Sequence, residues 1–142
     1  MAIRNAEAVW EGSLKDGNGK MKLGSGAFEG SFTWSSRFEN APGTNPEELL
    51  GAAHAGCYSM SVSSNLGRAG FTPQHIHTTA QVTIEPVEGR NKITHIALDM
   101  EARVPNISNE QFMQIAEYAK EHCPVSAALT GVPITLNARL LS

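Results

Sequence analysis

Few cysteines, no runs of like charge and no polybasic stretch limit what this chain can be. Its 142 residues include two cysteines, 11 Lys or Arg and 14 Asp or Glu, with a formal net charge of −3. A nucleic-acid partner would call for a clustered basic surface, so we expect none. The 41% hydrophobic content is ordinary for a globular protein, and we expect a single domain over residues 1–142.

Signals for export and for membrane insertion are also missing. Met1–Trp10 has no apolar core of the kind that a secretion signal requires. Leu49–Gly67 has no charged side chain, but its four serines and three glycines favour the buried central helix of a globular fold over a membrane span. We therefore expect a cytoplasmic protein with no membrane partner. In that reducing compartment, cysteine pairs are usually catalytic or redox-active.

The first forty residues carry strand and turn signals. Strands are expected over Ala6–Leu14 and Lys20–Leu23, joined by a hairpin turn at Asp16–Gly19. The aromatic residues that follow fall on even positions, which is typical of a third, half-buried strand: Phe28, Phe32, Trp34 and Phe38.

A long helix should follow that third strand. Asn45 is the predicted N-cap, Pro46 occupies the first helical position, and Glu48 is placed to close a capping box. The helix is expected to run to about Arg68, with Gly70 as its stop.

Strand signals then resume, and two further helices precede the last strand. Strands are expected over His75–Pro86 and Lys92–Val104, around a turn at Glu88–Asn91. A capping box at Ser108–Gln111 opens a second helix with one apolar stripe, formed by Phe112, Ile115, Ala116 and Ala119. A short helix over Cys123–Leu129 and a strand over Val132–Leu140 complete the chain. The order β-β-β-α-β-β-α-α-β predicts an α+β fold, with antiparallel sheets around a long buried central helix.

Cys123 stands directly before Pro124, the pattern of a helix N-terminus. As the cap, its sulfur would face free backbone N–H groups and the positive end of the helix dipole, which favour a thiolate. The adjacent His122 is expected to be exposed.

Cys57 lies in the predicted central helix, three residues after His54. One interpretation makes Cys57 a small buried apolar residue and His54 a core histidine bonded to backbone. The other is a Cys–His nucleophile pair, because residues three apart share a helix face.

Glu47 and Arg37 complete the set of candidate polar residues. Glu47 precedes Cys57 by ten residues, so their Cα atoms should be about 15 Å apart on one straight helix. If both belong to one site, the glutamate must come from another subunit or act through a long side chain such as that of Arg37. This spacing predicts a site shared between two subunits.

A metal site is the weaker alternative. His75 and His77 would place two imidazoles on one strand face, but the sequence adds no cysteine or acidic residue to them. A solvent-facing pair explains the same spacing.

These segments resemble the OsmC (osmotically inducible protein C) family, sister to the organic hydroperoxide resistance proteins. The segments that carry the resemblance are Thr44–Met60, Gly70–Pro73, Cys123–Ser126, Trp10–Gly12 and a strand over Arg37–Glu39. His54, where the sister branch tends to carry Gly-Tyr, favours the OsmC branch.

The resemblance implies an intertwined homodimer that reduces organic hydroperoxides, and hydrogen peroxide more weakly, in stress defence. Cys57 would be the peroxidatic thiol, Cys123 the resolving thiol, Arg37 the group that holds the thiolate, and Glu47 the carboxylate that orients Arg37. No cofactor or metal is implied, but an external dithiol, from a lipoyl or thioredoxin-like protein, must reduce the disulfide. Leu49, Leu50, Met60 and Phe112 would supply apolar surroundings for the substrate. The alternatives are a stress-induced redox or binding protein with little turnover, and a structural dimer.

Overall fold

Ten helices and strands follow one another over the 142 residues that the computed structural model describes. Their bounds are β1 (Ala6–Glu11), β2 (Asn18–Leu23), β3 (Glu29–Phe32), α1 (Trp34–Phe38), α2 (Pro46–Arg68), β4 (His75–Val87), β5 (Arg90–Arg103), α3 (Asn109–His122), α4 (Pro124–Ala128) and β6 (Ile134–Leu141). The chain divides into two compact units, Met1–Leu49 and Leu50–Ser142.

The first unit holds an antiparallel sheet in the order β1-β2-β3. The return strand β2 begins at Asn18, inside the predicted turn, and β1 ends at Glu11, before the predicted Leu14. Gly12 adopts a φ of 96° as the chain leaves β1, a conformation that favours glycine. None of the residues in this unit belongs to the hydrophobic core.

The third strand is shorter than predicted, because its second half is a helix. Strand β3 ends at Phe32, and Thr33 caps α1 in a reciprocal capping box with Ser36. The prediction failed because a spacing of four residues fits one turn of helix as well as two repeats of a strand. Trp34 and Phe38 indeed pack against each other one turn apart, with ring centroids at 5.6 Å and the ring planes tilted by 47°. Arg37 therefore projects from a helix and not from a strand.

The second unit holds a mixed sheet in the order β4-β5-β6. Strands β4 and β5 form the predicted antiparallel hairpin, closed by Glu88 and Gly89, whose φ angles of 51° and 79° are those of a tight hairpin turn. Strand β6 pairs with β5 in parallel, which corrects the expectation of antiparallel sheets alone. The chain between them passes through α3 and α4, and such a helical crossover returns a strand in the parallel direction.

The core lies where α2 and α3 pack with β5. Alternate residues of β5 are buried, as expected for a strand with one face on the core. The fully buried apolar side chains include Tyr58, Val62 and Leu66 of α2, Ile96 and Met100 of β5, and Phe112, Ala116 and Ala119 of α3.

The predicted central helix is present with its predicted bounds, Pro46–Arg68. Asn45 caps it, accepting a hydrogen bond from the Glu48 N–H at 2.7 Å. The Glu48 carboxylate does not close a capping box but accepts from the Thr44 hydroxyl at 3.0 Å. One face of α2 is buried and the other is exposed, so the helix is not buried all round. None of the helices combines the length and the apolar composition that crossing a membrane takes.

The α+β class and the central helix are thus confirmed, with α1 and the parallel strand β6 as corrections to the predicted order.

Tyr58→Phe tests the packing of α2 on α3. The buried Tyr58 hydroxyl donates to the carbonyl of Ala116 at 3.0 Å, so its removal should lower the free energy of unfolding by about 1 kcal/mol. Tyr118→Phe is the control, because Tyr118 is 51% exposed. Urea unfolding at fixed protein concentration should show a lower free energy of unfolding for Tyr58→Phe than for Tyr118→Phe. An equal decrease in both variants would contradict a stabilising hydrogen bond from Tyr58.

Candidate active site

Cys57 lies at the edge of the buried face of α2. Residues three or four apart line that face, among them His54, Tyr58 and Val62, all fully buried. Cys57 directly precedes Tyr58, so it is half-buried and packs against the core without being enclosed by it. The half-buried position leaves the thiol within reach of a small molecule.

Cys123 joins two helices, as the position of Pro124 predicts. It ends α3 and caps α4, and its Sγ accepts a hydrogen bond from the Ser126 N–H at 3.3 Å. The Cys123 thiol in turn donates to Ser126 Oγ at 3.1 Å. Unlike Cys57, Cys123 is fully buried. His122 is exposed, which confirms the prediction for this residue.

The structure brings the two thiols together in their reduced forms. The Cys57 thiol lies close enough to the Cys123 thiol and to the backbone of Val125 for both groups to shift its pKa, and both cysteines are free. Burial raises the pKa of the Cys57 thiol most; the nearby backbone of Val125 lowers that pKa, and the neighbouring Cys123 thiol raises it. The resting pair is therefore uncharged at Cys57 and placed for sulfur–sulfur chemistry.

His54 is a core histidine, as one of the two interpretations held, but its partner is a side chain and not the backbone. Its Nε2 lies 2.7 Å from Ser126 Oγ, while its Nδ1 has no hydrogen-bond partner. Burial lowers the pKa of His54, which favours the neutral imidazole. Ser126 was assigned no role from the sequence. Its position three residues after the cap Cys123 was the available signal, because the third residue of a helix donates its N–H to the cap.

Arg37 and Glu47 form an ion pair within the first unit. Arg37 Nη2 donates to Glu47 Oε1 at 2.7 Å, and Arg37 Nε donates to the two carboxylate oxygens at 3.1 and 3.2 Å. The Glu47 side chain is 7% exposed and that of Arg37 is 35% exposed. The carboxylate thus fixes a guanidinium that still faces outward on one side.

A hydrogen-bonded frame holds α1, and with it Arg37, against the start of α2. The Ser36 hydroxyl donates to the carbonyl of Thr44 at 2.8 Å, and Asn45 Nδ2 donates to the carbonyl of Ser36 at 3.1 Å. Ser36 and Thr44 are buried. This frame sets the distance between Arg37 and Glu47.

An open groove of about 640 Å³ adjoins Cys57. Of the apolar residues expected around Cys57, Met60 lines this groove and is 76% exposed, whereas Phe112 is in the core. Leu49 and Leu50 are not part of its wall. The residues that line it are Cys57, Met60, Ser61, Ser64, Asn65, Arg68, Tyr118, His122 and Pro124.

His75 and His77, the alternative metal pair, lie side by side on β4 with ring centroids 6.5 Å apart. His77 Nδ1 is 3.9 Å from a carboxylate oxygen of Glu101. No three or more His, Cys, Asp or Glu side chains in the chain are grouped to hold a metal ion.

The comparisons with known proteins agree with one another. A family model described as OsmC-like protein matches residues 38–137. Peroxiredoxin OsmC of Escherichia coli (strain K12) is 46% identical over 140 residues, which cover 98% of this chain and 97% of that protein. An organic hydroperoxide resistance protein-like protein of Staphylococcus aureus (strain USA300) is 27% identical over 100 residues, which cover 69% of this chain and 71% of that protein.

A solved structure shares the fold at much lower identity. The crystal structure of an OsmC-like protein from Mycoplasma pneumoniae superimposes with a TM-score of 0.77 at 18% identity, and the match covers 99% of both chains. The family model and the match to the Escherichia coli protein both include the segments that carry Glu47, Cys57 and Cys123.

The buried His54 should make stability depend on pH. Its pKa is below the ordinary value of 6.5, so as pH falls below that value the unfolded chain takes up more protons than the folded one. The free energy of unfolding of the wild type should therefore decrease on going from about pH 7.5 to about pH 5. The free energy of unfolding of His54→Gln should decrease less over the same range. Urea unfolding at both pH values measures the difference. The exposed His75→Gln is the control and should keep the wild-type dependence; a His54→Gln variant that also keeps it contradicts the prediction.

Proposed function

The chain belongs to the OsmC family, and from that premise we propose that it is a cysteine-based peroxidase that reduces organic hydroperoxides to alcohols in stress defence. The observation that carries the proposal is the proximity of the reduced thiols of Cys57 and Cys123 beside an open groove. The names of the relatives, peroxiredoxin and organic hydroperoxide resistance protein, support a peroxide-related function.

The proposed reaction begins at Cys57, the half-buried thiol of the pair. Its thiolate attacks one peroxide oxygen, the O–O bond breaks, and the alcohol leaves after taking up a proton. The sulfur is oxidised to a sulfenic acid. The Cys123 thiol then displaces the sulfenic oxygen as water and forms a Cys57–Cys123 disulfide. An external dithiol, from a lipoyl or thioredoxin-like protein, reduces that disulfide by exchange. No bound cofactor takes part.

Cys57 needs a positive charge to react, because its burial raises its pKa. Arg37 is the proposed source of that charge, and Glu47 is proposed to orient it through the ion pair. A guanidinium within about 4–6 Å of a thiolate favours the charged form. Glu47 and Cys57 lie ten residues apart on one continuous helix, about 15 Å along its axis. We therefore propose that the Arg37–Glu47 pair of one subunit serves Cys57 of the other in a homodimer.

Two features support a second copy of the chain as partner. The first unit has a three-stranded sheet but no residue in the hydrophobic core, and its Val9, Leu14 and Phe28 are exposed. A small sheet without a core of its own is marginally stable unless another surface covers it. The exposed face of α2 carries Ala52, Ala53 and Gly56, which would let a partner approach closely.

The groove favours organic hydroperoxides over hydrogen peroxide. Met60, Tyr118 and Pro124 line it beside Cys57, and they would bury the organic part of a substrate that hydrogen peroxide lacks. Because dithiol reductants act in the cytoplasm, the same proposal places the protein there.

Cys57→Ser and Cys123→Ser should separate the two chemical steps. Cys57→Ser should lose consumption of cumene hydroperoxide in the presence of a dithiol, because the nucleophile is gone. Cys123→Ser should consume one equivalent per chain and accumulate a sulfenic acid, which dimedone labels and mass spectrometry detects. Undiminished turnover by Cys57→Ser would overturn the proposal.

Mixing two inactive variants tests the shared site. Arg37→Ala and Cys57→Ser chains, unfolded and refolded together, form heterodimers in which one site has a complete Arg37 and Cys57 pair if the residues act across subunits. A 1:1 mixture should then recover about one quarter of wild-type activity, since half of the dimers are mixed and each has one intact site. Arg37→Ala and Cys57→Ser, each unfolded and refolded alone, are the controls. Activity no greater than that of the separate variants, with heterodimers verified by mass, would contradict a shared site.

A further inference from the structure

Three buried polar groups form a hydrogen-bonded chain that leads from the resolving thiol into the core. The Cys123 thiol donates to Ser126 Oγ at 3.1 Å, and Ser126 Oγ lies 2.7 Å from His54 Nε2. Cys123 and His54 are fully buried and Ser126 is 3% exposed. The geometry points to a proton relay, in which Ser126 and His54 accept the proton of Cys123 when that thiol attacks the Cys57 sulfenic acid. This inference rests on the proposed function and adds to it the route of a proton.

Burial is the reason that a relay is needed. A buried thiol cannot hand its proton directly to bulk water, and the free thiol is a poor nucleophile compared with its thiolate. Ser126 Oγ is the acceptor that the thiol already contacts. A serine hydroxyl is too weak a base to keep a second proton, so the hydroxyl must pass its own proton on, and His54 Nε2 is within reach.

The direction of the hydrogen bonds fits transfer from sulfur to imidazole. Because Ser126 Oγ accepts from the Cys123 thiol, its single O–H is free to donate to His54 Nε2. That bond requires Nε2 to be unprotonated, and burial lowers the pKa of His54 in the direction that keeps it so. The neutral imidazole is therefore ready to receive a proton.

The unpartnered nitrogen of His54 argues against a purely structural role. With Nε2 as the acceptor, the proton of the neutral ring is on Nδ1, which has no hydrogen-bond partner. A buried polar atom without a partner has lost its hydrogen bonds to water without replacement, which destabilises the fold. An apolar side chain would fill this position without that cost, so stability alone does not account for the imidazole.

The Cys123 sulfur attacks the Cys57 sulfur, the S–S bond forms and the S–O bond breaks. The thiol proton passes to Ser126 Oγ while the hydroxyl proton of Ser126 passes to His54 Nε2. The leaving hydroxide takes up one proton and His54 later releases one, so that a thiol and a sulfenic acid give a disulfide and water. The Cys123 sulfur is oxidised and the Cys57 sulfur is reduced.

The titratable groups around the relay come from two elements. On α2 these are Cys57, whose pKa burial and the nearby Cys123 thiol raise, and Tyr58, whose pKa burial raises, with smaller upward contributions from Glu117 and Cys123. On α3 it is Glu117, and α4 itself carries no titratable side chain. His54 is the base among them that is hydrogen-bonded to Ser126. Because His54 acts through Ser126, it is a positioning residue, and its test needs a pH profile.

The test follows sulfenic acid and disulfide separately in the reduced full-length protein. One equivalent of cumene hydroperoxide is added, and quenched samples are analysed by mass spectrometry with and without dimedone. His54→Gln retains an amide that can bond Ser126 but cannot accept a proton. It should form sulfenic acid in full amount and convert it to disulfide about 10²-fold or more slowly near pH 7. Its rate should rise about tenfold per pH unit as hydroxide replaces the relay, whereas the wild-type rate should change little over the same range.

Ser126 gives a second pair of variants that does not depend on how His54→Gln folds. Ser126→Ala should slow disulfide formation as His54→Gln does, and Ser126→Thr, which keeps the hydroxyl, should restore most of the rate. The exposed His75→Gln is the control and should match the wild type. Wild-type rates and a wild-type pH profile in both His54→Gln and Ser126→Ala would overturn the relay.

Diamide separates a failure of the relay from a failure of the proposed function. It oxidises Cys57 to a covalent adduct, which Cys123 must attack to give the disulfide and a hydrazine, so the same proton leaves Cys123 without any peroxide. Slow closure by His54→Gln with diamide supports the relay even if peroxides fail to oxidise Cys57, a result that would end the peroxidase proposal alone. Closure at the wild-type rate with diamide would overturn the relay alone.

Discussion

The double role of Cys123 is the constraint on which the arrangement of the site depends. Pro124 cannot continue α3, so the chain turns at Cys123 and starts α4 there, with Sγ held by the Ser126 N–H. Once the sulfur is a helix cap, its direction is fixed by the backbone and not by a free side-chain rotamer. The same turn places Ser126 and Val125 around the two thiols. Capping a helix and positioning a reactive sulfur are here one interaction.

Burial leaves the resting site without charge. It raises the pKa of Cys57 and lowers that of His54, so both groups favour their neutral forms. A neutral site is inexpensive to bury, but each step of the proposed reaction creates charge within it. The first step needs a thiolate at Cys57, which an outside guanidinium would stabilise. The second needs the proton of Cys123 to leave, which a base within hydrogen-bonding reach would accept. The two steps thus require different partners, and the chain has a candidate for each.

The parts of this structure that the sequence predicts are those set by local signals. The bounds of α2 follow from Asn45 and Pro46 at one end and Gly70 at the other, and the cap at Cys123 follows from Pro124. The helix α1 was missed because the spacing of Trp34 and Phe38 suits two structures and only the Thr33–Ser36 box decides between them. The direction of β6 and the bond between His54 and Ser126 could not be read locally. Both depend on segments far apart in the chain, and no local residue pattern encodes which of them meet.

The division of the chain also bears on why its activity would belong to an assembly. The unit that holds Arg37 and Glu47 has no hydrophobic core, whereas the unit that holds both thiols has all of it. A sheet of three short strands gains little stability from its own hydrogen bonds, so it needs an apolar surface from elsewhere. If a second copy supplies that surface, folding of the first unit and delivery of its guanidinium occur in the same event. The charge that activates Cys57 would then be present only in the assembled dimer, and an isolated chain would keep its thiol protonated and unreactive.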